Sequence, residues 1–193
     1  MKRRRCLKNL SPTIISDNCN AGIIYHDLGL PFLSPTINLY FHPWDYLKFL
    51  ENLHHYLQVE PMEILDDSVA WPVGMLEDVK VFFMHYKSFD EARTKWIARA
   101  ARVDFDNLFV LMSEKNGCTH AEMQEFDSLP FQHKALLTHL PYRDIKSGIT
   151  IPGFEDQTEL GVVTDFRPGF LRRRYLDAFD YVSFLNDRCL PAE

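Results

Sequence analysis

VKVFFM at residues 79–84, SFDE at 88–91, LFVLM at 108–112, THAE at 119–122 and KALLT at 134–138 follow one another through the middle of a 193-residue chain. The three apolar runs are short, so they read as buried strands rather than helices. SFDE and THAE are capping boxes, in which a Ser or Thr oxygen and a Glu carboxylate satisfy the orphan N–H groups of a helix start. Phe89, Ala92, Trp96 and Ala100 then fall on one helical face, as do Met123 and Phe126. Strand, helix, strand, helix, strand is the order that right-handed βαβ units on a largely parallel sheet produce.

Outward from this stretch the pattern continues. TIIS at 13–16 reads as a strand, Asp17 to Asn20 as a turn, and residues 21–28 as a short helix closed by Gly29. Residues 36–41 alternate and read as a strand. Pro43 suits a first helical position, and Trp44, Leu47, Leu50, Leu53 and Leu57 predict a helix to about Gln58. Residues 69–71 read as a strand and 73–75 as a turn. Residues 149–151 and 160–163 read as antiparallel edge strands, and 170–186 as a closing helix. The expected fold class is α/β: a single three-layer domain over residues 13–188, with a mixed, largely parallel sheet flanked by helices. Residues 1–12 read as a basic N-terminal tail.

Composition agrees with a packed globular core, with 46% hydrophobic and 25% charged residues. The net charge of −6 argues against a nucleic-acid partner, which would need clustered Lys and Arg. Two clusters depart from that average: Lys2 to Arg5, and Arg172, Arg173 and Arg174. No apolar run is long enough for a transmembrane segment, and the residues after Arg5 are too polar for a signal peptide. Cys6, Cys19, Cys118 and Cys189 lack C-x-x-C spacing, so neither zinc nor a disulfide framework is expected. A cytoplasmic location fits best, and the basic clusters leave open a peripheral place on the inner face of the membrane. Oligomeric state is not legible.

In an open α/β sheet, ligands bind beyond the carboxyl ends of the strands. The first strand is followed by Ser16, Asp17, Asn18, Cys19, Asn20 and Gly22. Its polar turn and helix start expose backbone N–H groups that suit an anion. The later strands are followed by His85, Tyr86 and Lys87, by Ser113 to Asn116, and by His139 and Arg143. The candidate catalytic residues are His85, His139 and Cys19. The candidate ligand-binding residues are Ser16, Asp17, Asn18, Asn20, Gly22, Tyr86, Lys87, Ser113 and Arg143. Arg167 and Arg172 to Arg174 are further candidates for gripping a phosphate. Asp104 and Asp106 form a D-x-D pair, but it precedes a strand, on the wrong side of the sheet, so no metal site is expected.

ISDNCNAG at 15–22, LGLPFLSPT at 28–36, HYKSF at 85–89, FDSLP at 126–130 and Thr138-His139 carry a further signal. With these segments the chain resembles a bacterial family of unknown function (domain of unknown function nineteen-nineteen) labelled exopolysaccharide biosynthesis protein. The resemblance covers roughly residues 14–186. The family pattern in the first loop is Ser-Asn-Asn-Cys, an aromatic residue and two glycines. Here Asp17 replaces an Asn, Asn20 the aromatic and Ala21 the first Gly. The resemblance implies an α/β fold and a polysaccharide context. Three readings stay open. One is a transferase of exopolysaccharide or capsule biosynthesis that uses a sugar nucleotide or another phosphate-bearing donor. The second is a non-catalytic carbohydrate- or partner-binding module, with Tyr40, Trp44, Trp71 and Tyr86 stacking on sugars. The third is a Cys19-dependent acyl transferase or hydrolase.

Overall fold

The structure, a computed structural model, describes residues 2–169 and 173–186. Its elements in chain order are α1 (Lys2–Cys6), β1 (Thr13–Ser16), α2 (Asn20–Leu28), α3 (Pro43–Glu51), α4 (Leu53–Tyr56), β2 (Met62–Ile64), β3 (Val73–Leu76), β4 (Val79–Phe82), α5 (Phe89–Ala100), β5 (Leu108–Ser113), α6 (His120–Ser128), β6 (Lys134–Thr138), β7 (Gly148–Thr150) and α7 (Tyr181–Leu185). β1, β5, β6 and β7 form one sheet in that order, and every neighbouring pair is parallel. β2, β3 and β4 form a second, antiparallel sheet.

A parallel sheet needs cover on both faces, and the side chains of alternate residues supply two cores. Ile15, Val110, Met112 and Leu136 pack with Tyr46 and Phe49 of α3, Trp96 of α5, Phe126 of α6 and Val81 of the small sheet. Ile14, Phe109, Leu111, Ala135 and Leu137 pack with Ile24 and Leu28 of α2 and Val182 and Leu185 of α7. The α/β layering expected from the sequence is thus present, with helices on both faces of the parallel sheet.

Local signals explain several boundaries. The Thr119 side chain accepts from the Glu122 N–H, and Glu122 Oε2 accepts from the Thr119 N–H at 2.7 Å, so this capping box is complete. Ser88 caps α5, but the Glu91 carboxylate accepts from Lys87 N–H instead. Gly29 closes α2 at φ +59°, a conformation that favours glycine.

The structure corrects the reading in several places. The strand at 79–84 belongs to the antiparallel sheet, turned back from β3 through Glu77 at φ +55°. Residues 73–75 are that strand and not a turn. Gly74 is required there because a Cβ would meet the Phe89 ring at 2.8 Å. Residues 69–71 form no strand. In residues 36–41, Asn38 at φ +63° interrupts the extended run, leaving one bridge from Tyr40 to Phe82. The helix from Pro43 breaks at Asn52, whose backbone is not helical.

β7 is parallel to β6, with its approach pinned by Asp127, which accepts from Ser147 N–H at 2.7 Å. Residues 160–163 form no strand; Leu160 N–H donates to the Glu114 carbonyl and ties the segment to the end of β5. Of the closing helix, Phe170, Leu171 and Arg172 lie outside the described residues. The rest is a 3-10 turn over Tyr175–Ala178 and then α7, which starts afresh at the Asp180 cap. Arg3 of α1 reaches Asp177 at 2.6 Å and also bonds Tyr181, holding α1 against the 3-10 turn and α7. Among the described residues no helix is long and apolar enough to cross a membrane.

Candidate functional site

β1 and β5 are parallel neighbours, but the helices that follow them pack on opposite faces: α2 with one core and α6 with the other. The two loops must therefore part, which opens a crevice at the carboxyl ends of the strands. A cleft of about 530 Å³ lies there. Asn18, Cys19 and Asn20 come to it from the end of β1, and Ser113, Lys115 and Asn116 from the end of β5. Tyr40, Trp71, Met84 and His85 form one wall, and residues 161–164 complete the lining. The Tyr40 ring stacks on Phe82 at 4.5 Å and meets Trp71 edge-on at 6.2 Å.

The floor is a closed polar network. Asp17 Oδ2 accepts from Ser113 N–H at 3.2 Å and from Asn18 Nδ2 at 3.3 Å. Its Oδ1 accepts from Ser16 Oγ at 3.4 Å. Asn18 Nδ2 and Asn20 Nδ2 both donate to Ser113 Oγ, at 3.0 and 3.1 Å. Asn18 Oδ1 accepts from Asn20 N–H at 3.0 Å. Both Asn18 amide hydrogens are therefore used inside the protein, and its Oδ1 keeps one acceptor position. Ser113 keeps its O–H, and Asn20 keeps one N–H and its carbonyl oxygen. Burial pushes the Asp17 carboxyl up to about 7, against the hydrogen bonds and the Lys115 charge that favour its ionised form. Neither Lys115 nor His85 has a side-chain hydrogen bond or ion pair among the described residues.

Cys19 sits at the N-cap of α2, as expected, but its thiol points to the Leu39 carbonyl at 3.7 Å. Burial, helped by the Asp17 charge, pushes it up to about 11. That is the opposite of the activation a helix N-terminus gives a nucleophilic thiol. His139 does not line the cleft. It lies beyond β6, where Glu114 Oε2 accepts from its backbone N–H at 2.9 Å and bonds its Nδ1 at 2.7 Å. Tyr142 Oη donates to the other Glu114 oxygen at 2.6 Å. Both His139 and Glu114 are buried, so this pair forms a second polar centre beside the cleft.

The other candidates divide similarly. Ser16 is fully buried behind Asp17. Gly22 lies within α2, where a Cβ would touch Ile37 at 3.5 Å. Tyr86 is buried, donating to the Ile37 carbonyl and accepting from Arg99. Lys87 and Arg143 are exposed and are not among the lining residues. Arg174 pairs with Asp27 at 2.8 Å, and the Arg167 guanidinium lies over the Tyr175 ring. Asp104 caps a 3-10 turn before β5, at the far end of the sheet from the cleft. Residues 161–164 carry no motif, and only the packed fold reveals them as a wall.

The family model described as Domain of unknown function (DUF1919) matches residues 1–186. A protein of Haemophilus influenzae described as "Uncharacterized protein" is 43% identical over 183 residues, covering 95% of this chain and 88% of the relative. The chain therefore belongs to the DUF1919 family.

Proposed function

We propose that the protein is a transferase of exopolysaccharide or capsule biosynthesis that holds a phosphate-bearing sugar donor, such as a sugar nucleotide, in the cleft between β1 and β5. The polysaccharide context comes from the resemblance in the sequence. The observation that carries the binding part is the makeup of the cleft: buried amide and hydroxyl groups at the floor, an aromatic wall and a lysine with no partner among the described residues. Sugars are bound by polar groups that match their hydroxyls and by aromatic rings against their apolar faces. Lys115 supplies the cation that a phosphate requires. His85, exposed in the wall and without a partner among the described residues, is the side chain that would pass a proton to or from a reacting oxygen.

One observation favours a second reading, a carbohydrate-binding module without catalysis. Cys19 holds its proton, and His139 lies outside the cleft, so His85 alone of the three candidate catalytic residues stays available. The thermal midpoint, measured with a panel of sugar nucleotides, sugar phosphates and free glycans, separates the two. A ligand at about a hundred times its dissociation constant adds roughly 2.7 kcal/mol of stability. A shift with a sugar nucleotide, and product formation lost in His85→Ala without loss of that shift, supports the transferase. A shift only with free glycans supports the module, and no shift with any of them removes both.

A further inference from the structure

We infer that the cleft binds its ligand sugar-first: the floor of Ser113 and Asn20 reads neutral sugar hydroxyls, and the anionic group stays at the rim by Lys115. This rests on the reading that the cleft takes a phosphate-bearing sugar, and it fixes which end goes in.

The hydrogen-bond inventory at the floor decides the matter. Ser113 and Asn20 are only 2% and 3% exposed. The Ser113 oxygen already accepts two amide hydrogens, so what it offers a ligand is its O–H. Asn20 offers one N–H and one carbonyl oxygen. These two side chains therefore present two donors and one acceptor. A phosphate oxygen only accepts. Placed here it would leave the Asn20 carbonyl facing an anion, with the Asp17 carboxyl directly behind, 3.2 Å from Ser113 N. A sugar hydroxyl both donates and accepts, so one hydroxyl pair satisfies all three groups.

The rim has the opposite character. Lys115 borders both this cleft and the adjoining depression beyond Gly161 and Val162. Among the described residues it is the one lining side chain that carries a fixed positive charge. Tyr40 and Trp71 stand beside the floor, where an apolar sugar face would lie.

The test uses the full chain and matched probes in calorimetric titration: UDP and GDP against their hexose conjugates, inorganic phosphate against hexose 1-phosphates, and methyl glycosides. Ser113→Ala is expected to weaken the bound conjugate by about tenfold and to leave the matching nucleoside diphosphate unchanged. Lys115→Ala is expected to weaken both. Because Ser113→Ala also frees two asparagine amides, deoxy-sugar conjugates are measured on the unaltered protein. Removing one hydroxyl is expected to reproduce the tenfold loss. Equal weakening of diphosphate and conjugate by Ser113→Ala, or indifference to every deoxy position, would overturn the orientation. Methyl glycosides binding through Ser113, without any phosphate compound binding, would keep the floor subsite and remove the transferase reading. No binding by any probe would remove both.

Discussion

Asp17→Asn is expected to stabilise the protein, and to do so more at pH 8 than at pH 5. Asp17 is 5% exposed at the end of β1, and burial raises its carboxyl from 3.8 to about 7. The folded protein thus keeps a proton that the unfolded chain has lost between pH 3.8 and about 7. Stability associated with this group is present below that window and falls as pH rises through it. Each pH unit in the window costs about 1.4 kcal/mol. From pH 5 to 8 the native protein should therefore lose about 2 to 3 kcal/mol, and above pH 7 the cumulative cost approaches about 4 kcal/mol.

Asparagine is isosteric and does not titrate. Its carbonyl oxygen can take the two hydrogen bonds that Asp17 Oδ2 accepts from Ser113 N–H and Asn18 Nδ2. Its amide can donate to Ser16 Oγ, which now donates to Oδ1. Urea unfolding at pH 5 and pH 8 measures both proteins. The gain from Asp17→Asn should be about 2 to 3 kcal/mol larger at pH 8, or roughly 5 to 10 °C in the thermal midpoint. A gain that is equal at both pH values, or a loss at pH 8, would refute the reasoning about burial.

Other outcomes follow from the same geometry. Glu114→Ala leaves His139 and Tyr142 facing a vacated buried site, and should cost about 3 to 5 kcal/mol by urea unfolding; a loss under 1 kcal/mol would contradict the network. Iodoacetamide at pH 7 should modify Cys19 roughly ten- to a hundredfold more slowly than an ordinary exposed thiol, with the exposed Cys6 reacting ahead of Cys19 in peptide mass analysis. Faster labelling of Cys19 would revive it as a nucleophile. Gly153→Ala should cost about 1 to 3 kcal/mol, because φ is +106° and a Cβ would meet the Tyr175 ring at 2.6 Å; an unchanged thermal midpoint would count against that loop conformation.

The fold was legible where local signals and tertiary packing agree. LFVLM and KALLT are buried strands because a parallel sheet covered on both faces needs such runs, and the Thr119 box starts α6 because its chemistry is local. The strand at 79–84 misled because its composition is that of any buried strand. Only the tight return through Glu77 and Asp78 makes it antiparallel, and the β3 strand before it needs Gly74 to admit the Phe89 and Phe83 rings. Asn52 broke a helix whose apolar spacing ran straight through it.

At the site, the rule that ligands gather beyond strand ends brought forward Asn18, Cys19, Asn20, Ser113 and His85, all of which line the cleft. His85 arrives by another route than expected: the Tyr40–Phe82 bridge brings the small sheet against the crevice. His139 followed the same rule but was drawn away by Glu114, a pairing 25 residues apart that no spacing announces. Tyr86 looked like a sugar platform and is a core residue held by Arg99 and Ile37.

The most direct test of the central claim is to map ligand contact on the uniformly labelled protein by amide chemical shifts during titration with the sugar nucleotide that stabilises it most. Shifts are expected to concentrate at residues 18–20, 113–116 and 161–164, with those of 18–20 and 113 lost when the matching nucleoside diphosphate replaces the conjugate. Shifts centred instead on the apolar groove between Leu57 and Phe105, at the other end of the sheet, would contradict it.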